Sequence, residues 1–148
     1  MTKFFLAGII QGSIHTDEIH EQDYRARIKE VIVANVPGAD VYCPIENHPN
    51  SLEYDDGYAR EVFLAHIDQC SEADVVVAFL PEASMGTAVE MWEASRKGVV
   101  VISVTPMKLN WAVKFLSSHI CESLDQFEDF VTSGELLKMI RAREKATK

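Results

Sequence analysis

Basic residues are in short supply: the 148-residue chain carries 14 Lys and Arg against 23 Asp and Glu, a formal charge of -9. That balance opposes condensation onto a nucleic-acid backbone or an anionic membrane, so neither a nucleic-acid polymer nor a membrane is an expected partner. A small anion can still be held by local backbone donors. Long apolar runs are lacking too. No segment approaches the roughly 20 apolar residues that span a bilayer, and the brief apolar start ending at Gly12 has no signal-peptide layout, so the expected location is the cytoplasm. Cysteine is sparse: Cys43, Cys70 and Cys121 are odd in number, far apart and without metal-like spacing, which reads as core thiols in a reducing compartment. His15 and His20 lie close in sequence while His48, His66 and His119 are scattered, so no metal site is expected. Internal repeats, low-complexity tracts, a dinucleotide GxGxxG and a P-loop lysine are all missing.

What is present suffices for one domain of ordinary size, since a 47% hydrophobic composition supports a single core. Residues 4–10 read as a first strand, and residues 23–35 as a helix whose Tyr24, Ile28, Val31 and Asn35 follow helical spacing, ended by Pro37 and Gly38. A strand over 40–43 stops at Pro44. The polar segment from there to Gly57 is long enough to be a lid or binding loop. Residues 58–70 are helical, with Ala59, Val62, Phe63, Ile67 and Cys70 as the apolar stripe. Residues 75–80 form a buried parallel strand, rich in β-branched side chains and too short for a core helix, broken by Pro81. A helix over 88–97 follows, and Gly98 leads into a strand over 99–105. A short helix over 110–117, a strand over 119–122 and one or two helices over 124–143, broken near Ser133 and Gly134, complete the chain before a fraying tail. Alternating strands and helices predict a single doubly wound, mainly five-stranded parallel sheet flanked by helices, Rossmann-like or flavodoxin-like.

Residues 73–90, ADVVVAFLPEASMGTAVE, concentrate the chemistry. The strand delivers Ser84, Gly86 and Thr87 as a small-residue turn, with Glu90 in the first turns of the helix beyond, where an open α/β sheet binds ligands. Glu90 reads as a nucleophile, a base, or a solvated residue near a helix start. Ser84 and Thr87 read as a phosphate cradle or as a helix cap. Directly after the first strand, Gly8, Ile9, Ile10, Gln11, Gly12 and Ser13 make a second candidate anion loop above the same sheet. Tyr54, Asp55, Asp56 and Tyr58, with Glu46, Asn47 and His48, are candidates for gripping sugar and base, or for a hydrated surface.

With these motifs the chain resembles the nucleoside 2-deoxyribosyltransferase superfamily, particularly its branch of nucleoside 5′-monophosphate N-glycosidases, over residues 4–105. The resemblance implies that Glu90 of Gly86-Thr87-Ala88-Val89-Glu90 attacks the anomeric carbon and forms a covalent sugar ester. It implies that Ser84, where the transferases usually have aspartate, contacts a 5′-phosphate. Gln11 stands where the hydrolases have a phosphate-binding arginine, and His66 where the family carries the aspartate that handles the base proton. Asp68 points elsewhere around the helix, and Glu61 is a possible substitute for His66. Asn110 falls where related transferases reach a neighbouring subunit's site, so a homodimer or higher homo-oligomer with sites near the interface is implied. The expected activity is retaining hydrolysis of a nucleoside or deoxynucleoside 5′-monophosphate, with base transfer between nucleosides and non-catalytic nucleotide sensing as alternatives, and no cofactor.

Overall fold

The structure, a computed structural model, describes residues 1–11 and 18–146. Five strands, β1 (Thr2–Gly8), β2 (Ala39–Tyr42), β3 (Val75–Phe79), β4 (Val100–Val104) and β5 (His119–Cys121), form one sheet in the order β2-β1-β3-β4-β5. Every neighbouring pair is parallel. The reason lies in the side chains: β3 is VVVAF and β4 is VVISV, buried almost throughout, which suits strands covered by helices on both faces.

Helices α1 (Tyr24–Asn35), α6 (Leu124–Thr132) and α7 (Glu135–Ala146) cover one face. There Phe4, Leu6, Val75, Val77 and Ile102 pack against Ile28, Ile32, Phe127 and Leu136. On the other face lie α3 (Asp56–Glu72), α4 (Met85–Arg96) and α5 (Trp111–Leu116), where Phe5, Ala7, Val76, Ala78 and Val101 meet Cys70, Met91, Ala94 and Val113. Each fully buried Val, Leu, Ile or Phe contributes roughly 1.5–3 kcal/mol. Gly98, at φ +70°, turns the chain from α4 into β4, and Gly134, at φ +81°, separates α6 from α7 as expected. All three cysteines are buried and free. Among the described residues no helix is long and apolar enough to cross a membrane.

The structure departs from the sequence reading at four places. The segment after β2 is not a plain loop: Pro44 starts the short helix α2 (Pro44–Asn47), and Ser51–Glu53 adds a 3-10 turn. Helix α4 starts at Met85, because Ser84 caps it by accepting from the Thr87 N–H at 3.4 Å and the Thr87 hydroxyl at 3.0 Å. Gly86 and Thr87 thus belong to its first turn and Glu90 to its second. The buried stripe of α1 is Tyr24, Arg25, Ile28 and Ile32, with Val31 half-buried against the same core and Asn35 half-buried beyond it. Helix α7 runs on to Ala146, so the expected tail is mostly helical.

Candidate functional site

The strand order fixes where a ligand can enter. From β1 the chain passes through α1 on one face to β2, and from β3 it passes through α4 on the opposite face to β4. The carboxyl ends of β1 and β3, in register at Gly8 and Phe79, therefore face a crevice between diverging connections. A cavity of about 420 Å³ opens there, within the range of small-molecule sites. Gly8, Ile10 and Gln11 form one end of its wall, Ser84, Met85, Gly86, Thr87 and Glu90 the side given by α4, and Pro44, Ile45, His48, Leu52, Tyr54, Phe63 and His66 the remainder.

The cavity gathers Glu90, His66, Ser84, Gly86, Thr87, Gly8 and Gln11 from distant parts of the chain. Of the other described candidates, Ile9, Asn110 and Tyr58 are not among its lining. Ile9 is fully buried behind the wall, its N–H donating to the Phe79 carbonyl and its own carbonyl accepting from Tyr24 Oη at 3.2 Å. Asn110 caps α5 through Oδ1, accepting from the Ala112 and Val113 N–H groups, and is no part of this chain's cavity wall. Tyr58 is also outside the wall, its ring tilted against Tyr54 at 4.5 Å between ring centroids. Gly12 and Ser13 lie outside the described residues. Of the polar segment, Glu46 turns away to Lys29 and Asp55 caps α3, while His48 and Tyr54 reach the cavity, joined by a 3.0 Å hydrogen bond. Neither Asp68 nor Glu61 lines it. Phe63, expected in the core, is 46% exposed because it borders this open space.

Among the described residues Glu90 is the one carboxylate of the wall. Burial pushes its carboxyl up to about 7, with the Arg25 guanidinium opposing the rise. A group so poised is half carboxylate at neutral pH and is suited to nucleophilic or general-base work. His66 moves the other way. Burial first, then His48 and Arg25, pull its imidazolium down to about 4, so the ring is neutral near pH 7. Its Nε2 is 3.1 Å from the Tyr42 hydroxyl, and its ring meets Phe5, Tyr42 and His48 edge-on at 5.3–5.8 Å. The result is a wall of flat rings at one end and small hydroxyl and glycine residues at the other, with Glu90 among the latter.

Arg25 escaped the sequence reading. It is 3% exposed and donates from Nη1 to the Leu6 carbonyl (2.7 Å), from Nη2 to the Gly8 carbonyl (3.3 Å) and from Nε to Gln22 Oε1 (2.7 Å). The signal available was a lone arginine one place from Tyr24 on an apolar helix stripe. Among the described residues, no group of three or more His, Cys, Asp or Glu side chains is arranged to hold a metal ion.

Gly8 has no room for a side chain. A Cβ there would lie 2.3 Å from Tyr24 Oη. Tyr24 cannot swing aside, being buried, stacked on Phe79 at 4.0 Å and hydrogen-bonded to Ile9. Gly8→Ala is expected to destabilise by about 1–3 kcal/mol in urea unfolding. Adding Tyr24→Phe removes the closest atom and recovers part of that loss; equal stability of Gly8→Ala and the wild type would contradict the packing described.

Comparison with known proteins bears on the fold. A conserved protein from Enterococcus faecalis V583 superposes with TM-score 0.63 over 90% of this chain and 98% of that chain, at 22% identity. The 2-deoxyribosyltransferase of the psychrotolerant bacterium Bacillus psychrosaccharolyticus superposes with TM-score 0.64 over 86% of this chain and 91% of that one, at 18% identity. The chain thus shares the fold of a 2-deoxyribosyltransferase. No protein-family model and no curated protein matches the sequence.

Proposed function

We propose that the protein breaks the N-glycosidic bond of a nucleoside-type substrate by double displacement at Glu90. The observation that carries this reading is a carboxyl group poised near neutrality in a cavity at the β1/β3 switch point. A Glu90 Oε attacks C1′ as the C1′–N bond breaks; the bonding electrons leave with the base, which takes up a proton, and a sugar ester remains. A second nucleophile then attacks C1′ and returns the carboxylate. Positive charge grows on the sugar in each transition state, and a nearby carboxylate stabilises it there more than in the ground state. His66 contributes as a neutral hydrogen-bonding ring beside the departing base, and the flat rings of His48 and Tyr54 offer faces for it to stack on.

The second nucleophile divides the reading. Transfer to another base is favoured, because the similar Bacillus protein is a 2-deoxyribosyltransferase and the described cavity wall holds no Lys or Arg to neutralise a phosphate dianion. Hydrolysis of a 5′-monophosphate is the second reading. It is favoured by Ser84, a hydroxyl at the start of α4 where a carboxylate would repel phosphate. Incubation with nucleosides and nucleoside monophosphates, with and without a second free base, separates the two by chromatography. A new nucleoside formed only with the added base marks transfer; free base and sugar phosphate from monophosphates alone mark hydrolysis. Cleavage of neither class would remove the proposed activity.

A second copy of the chain completes the proposal. Trp92 of α4 and Trp111 and Phe115 of α5 are 56%, 77% and 65% exposed, an apolar face next to the cavity helix that suits a homodimer or higher assembly. Sedimentation of a species of monomer mass would remove this part.

A further inference from the structure

A buried guanidinium bonded to carbonyls, with no carboxylate among its hydrogen-bond partners in the described residues, is an unusual thing for a fold to keep. Burying a charge is unfavourable unless something compensates it, and three carbonyl-type acceptors take three of its five N–H groups without neutralising its charge. The acceptors are informative. Leu6 and Gly8 are among the last three residues of β1 before the cavity, and Gly8 itself lines the cavity with Glu90. Gln22, the third acceptor, lies just before α1 and donates in turn to the Ile9 and His20 carbonyls, so Arg25 and Gln22 together hold Leu6, Gly8 and Ile9. Nε, Nη1 and Nη2 are all engaged, which holds the cation at one place beneath the loop.

We infer that Arg25 is a positioning residue for the Glu90 site: from beneath the first-strand loop it fixes the Gly8 wall of the cavity that Glu90 shares and sets a permanent positive charge behind that wall. This deepens the proposed function and rests on Glu90 being the reacting group. The neighbours on the other elements do not do this work. Tyr24 on α1 and Cys70 on α3 are both held protonated by burial, and His66 on α3 is held neutral. Ser84 and Thr87 on α4 and Gln11 in the loop carry no charge. Arg25 is the charged side chain whose field reaches both Glu90 and His66, favouring the carboxylate of one and the neutral ring of the other.

The test is direct titration of Glu90 by carboxyl carbon NMR, with its resonance identified by loss in Glu90→Gln. In the wild type the midpoint is expected at about 7. In Arg25→Gln it is expected to rise by roughly one pH unit or more, and Arg25→Lys, which keeps the charge, restores most of the difference. A rise of that size leaves about a tenth of Glu90 ionised at pH 7, so kcat/KM at pH 7 falls about fivefold and recovers near pH 9. A purely structural role lowers activity at every pH and leaves the midpoint alone. An unchanged midpoint in folded Arg25→Gln overturns the proposal, as does a wild-type midpoint above about 8.5, the behaviour of an uncompensated buried carboxyl. The wild-type reading stands even where Arg25→Gln does not fold. A shifted midpoint in a protein that cleaves no nucleoside upholds the Arg25 assignment and sinks the proposed activity instead.

Discussion

Glu90→Gln is expected to fold and to lose on the order of 10⁴-fold or more in glycosidic cleavage, the scale on which removal of a covalent nucleophile acts. The amide keeps the shape of the carboxyl group and tolerates burial better than the carboxylate it replaces, so the effect falls on chemistry rather than on structure. It cannot form the sugar ester. Binding is expected to survive, because the base end of the cavity, with His48, Tyr54 and Phe63, is untouched. The measurement is single-turnover cleavage of the best nucleoside from the substrate screen, alongside a binding isotherm for the same compound. Loss of cleavage with binding retained fits the account. Wild-type cleavage by Glu90→Gln removes it.

The second large effect is on stability, and its sign follows from two opposite shifts in one pocket. The folded state raises Glu90 from 4.5 to about 7, so folding favours the protonated form. This contribution is fully present below pH 4.5 and is lost as pH rises toward 7. The folded state lowers His66 from 6.5 to about 4, so its contribution is present above pH 6.5 and lost as pH falls toward 4. At about 1.4 kcal/mol per pH unit each amounts to roughly 3 kcal/mol. Between pH 4.5 and 6.5 the two oppose each other and largely cancel in the wild type. Glu90→Gln exposes the histidine alone and is expected to lose stability, relative to wild type, as pH falls through that window. His66→Gln exposes the glutamate alone and is expected to gain. Urea unfolding of the three proteins from pH 4.5 to 7.5 checks this, and curves that stay parallel throughout contradict the burial of both groups.

Much of this arrangement was legible in residue order. The VVVAF run of β3 announces a strand covered on both faces, and the following Pro81 ends it, so that Ser84 and Glu90 emerge beyond the strand's carboxyl end. Alternation of strand and helix was enough for the parallel sheet. The capping role of Ser84 was one of two open readings, and it moved the start of α4 back to Met85. The polar segment after β2 was harder. Its short helix and 3-10 turn follow from Pro44 and from backbone bonds such as His48 N–H to the Pro44 carbonyl, which carry no hydrophobic period. Arg25 was missed for another reason. Its charge argues for the surface although it shares a helix stripe with Ile28 and Ile32, and only the carbonyls at the end of β1, brought beside α1 by the fold, make burial tolerable. Phe63 shows the converse, an apolar residue in helical register that a cavity rather than a core receives.

The most direct test looks for the bond itself. The protein is quenched in acid during turnover of its best nucleoside or nucleotide, digested, and examined by mass spectrometry. The account predicts one peptide heavier by a single glycosyl group, with fragmentation locating the added mass on Glu90 and no adduct in Glu90→Gln. Rapid cleavage with no adduct trapped at any time, or an adduct on another residue, would contradict it.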